Sequence, residues 1–322
     1  MLVKPFERPS RAQIVLDAIQ SAKIGPILKP TNYGTKPVLA VHDVDFVNFL
    51  TNVWQEWKSS GYKGEAIPTV WPVRRMQQRI PNFVDGKLGY YSMAAETSIT
   101  QGTWTAALVA KDVALSGAAI IATGERGAFA LCRPPGHHAA HDMFGGYCFL
   151  NNAAIAAQWL LNSGFHKVSI LDVDFHHGNG TQDIFYERDD VLFCSIHGDP
   201  KEAFPHFLGY SDERGQGVGE GFNHNYPMPR GTTFAEYKIS LQHSLNHISD
   251  FQGNALVVSV GVDTFENDPI SFFRLQRQDY AILGEMISSL HLPTLFVLEG
   301  GYDLKEMGEN IVSVLRGFER SI

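Results

Sequence analysis

The sequence predicts one α/β domain, three layers deep (α/β/α), around a mainly parallel sheet. Three observations predict it. Five apolar runs have strand length: AFALC (128–132), VSILDV (168–173), VLFCSI (191–196), ALVVSVG (255–261) and TLFVLEG (294–300). Most are nearly continuous in apolar, β-branched residues, the pattern of strands covered on both faces. Helical segments separate them, which calls for parallel strands with crossover helices. Each run is also followed by an unusual polar cluster, and ligands of such folds bind beyond the carboxyl ends of the strands.

The elements follow in order. Residues 11–22 and 45–58 read as helices; in the second, Phe46, Phe49, Leu50, Val53 and Trp57 recur at helical spacing. Residues 60–92 read as irregular, broken by prolines and glycines, and are expected at a substrate entrance or a dimer interface. Residues 93–122 read as helix, broken or kinked near Gly102. NNAAIAAQWLLNSG (151–164) ends in a glycine suited to a C-cap. TTFAEYKISLQHSL (232–245) opens with Thr233 and Glu236 at capping-box spacing. Residues 278–290 and 304–318 complete the set. GQGVGEG (215–221) is glycine-rich, but it follows no strand and precedes FNHNYPMPRG, so it reads as a loop and not as a phosphate cradle.

With 322 residues, 44% of them hydrophobic, residues 1–322 can bury one large core as a single domain. A net charge of -8 argues against nucleic-acid binding and favours cationic partners. Cys132, Cys148 and Cys194 form no disulfide framework and read as small buried hydrophobes in a reducing compartment. The opening MLVKPFERPSRAQ lacks the apolar stretch of a signal peptide. No apolar run approaches the roughly 20 residues of a spanning helix. The expectation is a soluble, cytoplasmic protein with no membrane partner.

The polar clusters carry the chemistry. In DVDFH, Asp172, Asp174 and His176 alternate, and alternate side chains of an extended chain share a face. Asp263 leaves another strand in the same way. Asp and His are ligands for a borderline metal such as Zn²⁺, and three ligands with an open position suit catalysis. Two carboxylates are more oxygen-rich than most zinc sites, which leaves Fe²⁺ or Co²⁺ open. His137 and His138 follow the RPPG turn and would sit beside the metal as proton-transfer groups. Tyr302, after Glu299-Gly300-Gly301, is placed to donate a hydrogen bond to an oxyanion.

Taken together, RPPGHHA, GGYCFLNN, DVDFHHGNGT, VDTFENDP and LEGGYD resemble the zinc-dependent histone deacetylase superfamily, of the arginase–deacetylase fold. The match spans about residues 93 to 304, in the family's order. The resemblance implies that Asp174, His176 and Asp263 bind zinc, that His138 is the general base and acid, and that His137, supported by Asp172, is its electrostatic partner. Tyr302 would polarise the substrate carbonyl. It also implies a structural K⁺ at Asp172, Asp174, His176, Ser195 and Ile196, and a second near Phe185, Arg188, Val191 and Phe222. Gly146 and Tyr147 match the substrate tunnel, with Phe204 and Ile270 as further walls. Asn179 stands where some members carry Asp, which argues against a strong His138–carboxylate dyad.

Within the superfamily, IPTVWPVRRM, PNFVDGKLGYYS, MAAETSIT and GVGEGFNHNYPMPRGT resemble the bacterial acetylpolyamine amidohydrolases. That implies a homodimer whose partner loop narrows the tunnel, and Asp85 and Glu96 as acids that read the far ammonium of a small cationic acetylated amine. Three rivals stand beside this reading. An acetyl-lysine protein deacetylase would use the same chemistry. A two-metal, arginase-like hydrolase needs an aspartate where this chain has Gly178. A catalytically silent binder of acetylated ligands would carry the metal without turnover.

Overall fold

A computed structural model of the chain describes residues 5–73 and 75–320. The first four residues of MLVKPFERPSRAQ, and Arg74 of IPTVWPVRRM, lie outside the described residues. The elements run α1 (Ser10–Ala22), α2 (Val44–Ser59), α3 (Val84–Tyr90), α4 (Thr103–Ala122), β1 (Gly127–Ala130), α5 (Asn152–Asn162), β2 (Val168–Asp172), α6 (Asn179–Phe185), β3 (Val191–Gly198), β4 (Asn223–Met228), α7 (Phe234–Phe251), β5 (Ala255–Val260), α8 (Arg277–Ser288), β6 (Thr294–Leu298) and α9 (Met307–Arg320).

The strands form one sheet in the order β1-β6-β5-β2-β3-β4, and every neighbouring pair is parallel. Alternation along each strand divides the core. Leu171, Leu256, Val258 and Phe296 face one layer, made by α1, α7, α8 and α9. Ile170, Val257, Leu295 and Val297 face the other, made by α4, α5 and α6. The three-layer α/β/α architecture expected from the sequence is therefore the one observed. A third cluster, centred on Phe46, Phe49, Val53 and Leu88, seats α2 and α3 against the outer side of α4 and α5.

Five local expectations are corrected. A sixth strand, β4, lies at the sheet edge, where five strands were expected and none here. Asn223, Asn225 and Pro227 give it no apolar run, and an edge strand tolerates proline because one side of its backbone is unpaired. Residues 93–102 are not helical; Gly102 precedes the first turn of α4, and Ile99 instead makes an isolated antiparallel bridge to Ala66. The irregular 60–92 stretch contains α3, and the polar motif after β2 contains α6. Finally, α4 does have the length and composition of a membrane span, with 20 residues and mean hydropathy 1.6. Half of that window is buried, and Ala110, Ala114, Ala118 and Ile121 pack into the sheet-facing core, so its apolarity is accounted for by the protein interior.

Sequence signals for helix ends hold. Thr233 and Glu236 form a full capping box on α7, and Gly164 adopts φ 103° just beyond α5. Helices α8 and α9 touch backbone to backbone through two glycines. A Cβ at Gly284 would fall 2.0 Å from the carbonyl oxygen of Val314, and one at Gly317 would fall 2.0 Å from that of Ala281. The obstacle in each case is main chain, which cannot rotate away. Gly284→Ala is expected to cost at least about 1 kcal/mol, in line with overpacking of a filled core. A denaturant melt of the variant showing wild-type stability would contradict this contact.

Candidate active site

Five strand ends deliver the site. Along the sheet they bring His137 and His138 from β1, Glu299 and Tyr302 from β6, Asp263 from β5, Asp172, Asp174 and His176 from β2, and Phe204 from β3. The side chains of Asp174, His176 and Asp263 converge, with one ligand atom from each inside 4.8 Å. Nδ1 of His176 lies 3.2 Å from Oδ1 of Asp174 and 3.0 Å from Oδ2 of Asp263. Both carboxylates have no exposed surface.

This set fits a divalent cation. Two buried carboxylates and an imidazole are the mixed oxygen and nitrogen donors such an ion takes. The backbone around them is cleared of side chains: a Cβ at Gly300 would fall 2.4 Å from Oδ2 of Asp263, and one at Gly261 would fall 2.0 Å from Oδ2 of Asp174. The carboxyls are also held in place by main-chain amides. Gly300 donates to Asp174 at 2.7 Å and Phe175 to Asp263 at 2.9 Å. Burial and the charge of Asp174 lift Asp263 to about 6, against the opposing pull of His176. Gly178 supplies no ligand for a second metal beside this one, and even a Cβ there would come 2.2 Å from Oδ2 of Asp172. Another buried trio, His137, Cys148 and Glu299, is also within 4.8 Å. Burial pushes its thiol well above the usual range, and its carboxylate is occupied by backbone amides, so it is not an equivalent ligand set.

The paired histidines are adjacent but electrically opposite. Their ring centroids lie 4.0 Å apart. Nδ1 of His137 is 2.9 Å from Oδ2 of Asp172, whose other oxygen accepts the Asp174 amide at 3.1 Å. Burial alone would lower His137, but Asp172 and Asp174 outweigh it and lift it to about 10. His138 is pushed well below the usual histidine range by burial and by the neighbouring His137 and His176. Its Nδ1 is 2.7 Å from Oδ1 of Asn179. An amide oxygen only accepts, so Nδ1 carries the proton and Nε2 keeps a free lone pair. The amide is oriented by its nitrogen, which faces the His138 carbonyl at 3.4 Å and the sulfur of Met93 at 3.6 Å.

Glu96, His138, Gly146, Tyr147, His176, Phe204, Ile270 and Tyr302 line one cavity of about 280 Å³. A cavity of similar size, about 290 Å³, is lined by Lys36, Pro37, Ile155 and Trp159 among others and holds no converging titratable groups. The chemistry therefore belongs to the first. Gly146 is required there, because a Cβ would fall 2.2 Å from the His138 ring. Gly146 and Tyr147 both have positive φ, and their amides are held by Glu96 at 2.9 Å and by Thr97 at 2.8 Å. Burial raises the Tyr302 phenol well above its usual range, so it stays a donor.

Asp85 is not among the lining residues; it starts α3 and accepts the Thr69 hydroxyl at 3.2 Å. Of the residues expected at a first K⁺, Asp172 and Ser195 are register partners on β2 and β3, with Ile196 next in line. Of the second, the Phe185 carbonyl accepts the Arg188 amide at 3.0 Å and the Phe222 carbonyl accepts the Phe193 amide at 2.9 Å. Val191 opens β3.

Sequence reasoning missed three contributors. Arg11, 1% exposed, donates from Nε to the Gly301 carbonyl at 2.7 Å and from Nη2 to that of Glu299 at 2.6 Å, and its guanidinium lies 4.6 Å from the Tyr302 ring centre. A lone arginine on an amphipathic helix gives no signal. Asp268 accepts the Tyr302 amide at 2.7 Å, and Glu299 contacts the histidine turn. Both sat inside quoted motifs, VDTFENDP and LEGGYD, without a role.

The sequence profile of the histone deacetylase domain matches residues 5–318. This chain belongs to the histone deacetylase family. It is 56% identical over 316 residues to an acetylpolyamine amidohydrolase of Mycoplana ramosa, covering 98% of this chain and 93% of that one. It is 54% identical to acetylpolyamine amidohydrolase 2 of Pseudomonas aeruginosa, covering 98% and 91%. The crystal structure of an acetylpolyamine aminohydrolase from Burkholderia pseudomallei superposes with a TM-score of 0.94 at 38% identity, covering 98% and 92%. The chain is thus an enzyme of a hydrolase family, with the arginase–deacetylase-like fold expected of it.

The histidine electrostatics predict a pH effect. A base that is neutral well below its ordinary range leaves activity intact until the pH falls to that low value. Asn179→Asp places a negative charge against Nδ1 and favours the protonated ring. The acid limb of the kcat/KM profile is expected to move to higher pH in this variant. An unmoved limb would show that His138 is not the titrating base.

Proposed function

We propose that this chain is a zinc-dependent amidohydrolase that removes acetyl groups from N-acetylated amines, above all small cationic acetylpolyamines. One observation carries this reading: His176, grouped with the buried Asp174 and Asp263, lines the same cavity as a neutral His138, a protonated Tyr302 and the acidic Glu96. The named activities of the relatives support the choice of substrate. Asp174, His176 and Asp263 would hold a divalent ion, in our reading zinc, which would supply Lewis acidity for the acyl oxygen and lower the pKa of water towards ~7.

The chain's own groups do the rest. His138 takes the proton of the attacking water at Nε2 and later gives it to the departing amine. His137, held charged by Asp172, sets positive charge beside the reacting carbon. The Tyr302 hydroxyl donates to the developing oxyanion. Glu96 attracts the far ammonium, while Tyr147, Phe204 and Ile270 hold the slender chain between apolar walls. K⁺ at Asp172, Ser195 and Ile196, and at Phe185, Arg188, Val191 and Phe222, completes our reading of the ions.

We assign the exposed apolar stretch with Val73 (72% exposed), Met76 (70%) and Phe83 (57%) to a homodimer contact. In such a dimer Asp85 could reach a tunnel mouth it does not reach within one chain. The three cysteines are free and buried, which agrees with a cytoplasmic location.

His138→Ala is expected to lower kcat at least about a hundredfold while metal content is unchanged. Tyr302→Phe should likewise lose activity and keep its metal. Side-by-side rates on acetylputrescine, acetylcadaverine, acetylspermidine and an acetyl-lysine peptide test the substrate. The polyamines should lead in kcat/KM, and Glu96→Ala should erase that lead. A preference for the peptide would make the protein a lysine deacetylase of the same chemistry, and metal-loaded protein without turnover would make it a silent binder. Chelation should abolish the activity and added zinc restore it.

A further inference from the structure

β1 and β6 lie side by side in the sheet, and the two segments that carry the reacting groups leave their neighbouring ends. His137 and His138 follow β1 across a Pro-Pro-Gly turn; Tyr302 follows β6 across two glycines. Glu299 stands at the root of the second segment. It has no exposed surface and is not a wall of the cavity. A buried acid with no catalytic contact is costly unless its oxygens are satisfied, and the bonds it makes indicate its role.

Oε2 of Glu299 accepts the amide of Gly136 at 2.6 Å and the amide of His137 at 3.1 Å, and Oε1 accepts the Ser259 hydroxyl at 3.3 Å. No other acceptor among the described residues takes those two amides. The opposite side of the turn is held by α6, whose Gly180 and Thr181 amides donate to the His137 carbonyl at 3.0 and 3.2 Å. The backbone of Glu299 is fixed as well, since Arg11 binds its carbonyl and that of Gly301. One side chain therefore closes the gap between the histidine turn and the tyrosine loop.

We propose that Glu299 is a positioning residue for deacetylation: through the Gly136 and His137 amides it sets the aim of His137 and His138 and locks their turn to the loop of Tyr302. The proposal rests on the reading that His138 and Tyr302 act on substrate. Its requirement is an oxygen acceptor at full reach, not a charge. Gln keeps that reach without the charge. Asp keeps the charge but is one methylene short.

The test compares Glu299→Gln, Glu299→Asp and His138→Ala as zinc-loaded protein on acetylputrescine, with kcat and KM measured separately and metal content and melting temperature recorded. Glu299→Gln should keep most of the wild-type kcat. Glu299→Asp should lose on the order of ten- to a hundredfold in kcat, the scale of a misaimed catalytic group, with KM little changed. A faster Asp than Gln variant would overturn the proposal in favour of charge. Two variants at wild-type kcat would overturn it outright, as would a loss confined to KM. His138→Ala separates the two levels. If it is fully active, the reading of the site fails. If it is slow while Glu299→Asp is fast, only the positioning role fails.

Discussion

Asp172, Asp174, Asp263 and Glu299 all lack solvent contact at one end of a single sheet. Buried charge of one sign is expensive, and the surrounding structure answers that cost residue by residue. Two of the acids face His176, one faces His137, and one faces a pair of amides. The parallel sheet makes this possible, because all its strands end at the same rim and each adds a short, stiff stem to a polar tip. A divalent ion at the three donors would complete the neutralisation.

That concentration of charge also sorts the histidines. His137, His138 and His176 sit in one region yet hold their protons differently. Carboxylates lift His137 and His176 to about 10 against their burial, while burial and the neighbouring His137 and His176 push His138 low. Opposite Nδ1, His137 meets the acid Asp172 and His138 meets the amide of Asn179, which brings no charge to offset that push. The part played by Asn179 is visible only when it is seen next to Asp172.

The sequence made the interior legible and left the edges obscure. β2, β3, β5 and β6 announced themselves because strands covered on both faces must be apolar throughout. β4 did not, since an edge strand of Asn, His and Pro satisfies its environment without an apolar run. α6 was hidden because its residues also serve the site: Asn179 is both a helix residue and the His138 partner. Asp172, Asp174 and His176 were legible from the DVDFH spacing and the paired histidines from the turn before them, although β2 ends at Asp172 and the chain bends beyond it. Arg11 and Asp268 were not, because each acts on backbone atoms of the Tyr302 loop, and a main-chain contact leaves no pattern in the residue being contacted. Asp85 shows the converse: a recognisable position that one chain alone does not bring to the cavity.

The glycines around the site set the terms on which this enzyme can evolve. Gly146, Gly178, Gly261 and Gly300 each stand where a single added carbon would strike the His138 ring or the carboxylate of Asp172, Asp174 or Asp263. Their neighbours on the cavity wall, Phe204 and Ile270, face open space. A lineage can therefore exchange wall residues one at a time, whereas a side chain at any of these four glycines forces a buried group of the site to move. The shape of the cavity is the part of this scaffold free to vary, and the ring and carboxylates at its base are the part held by contact.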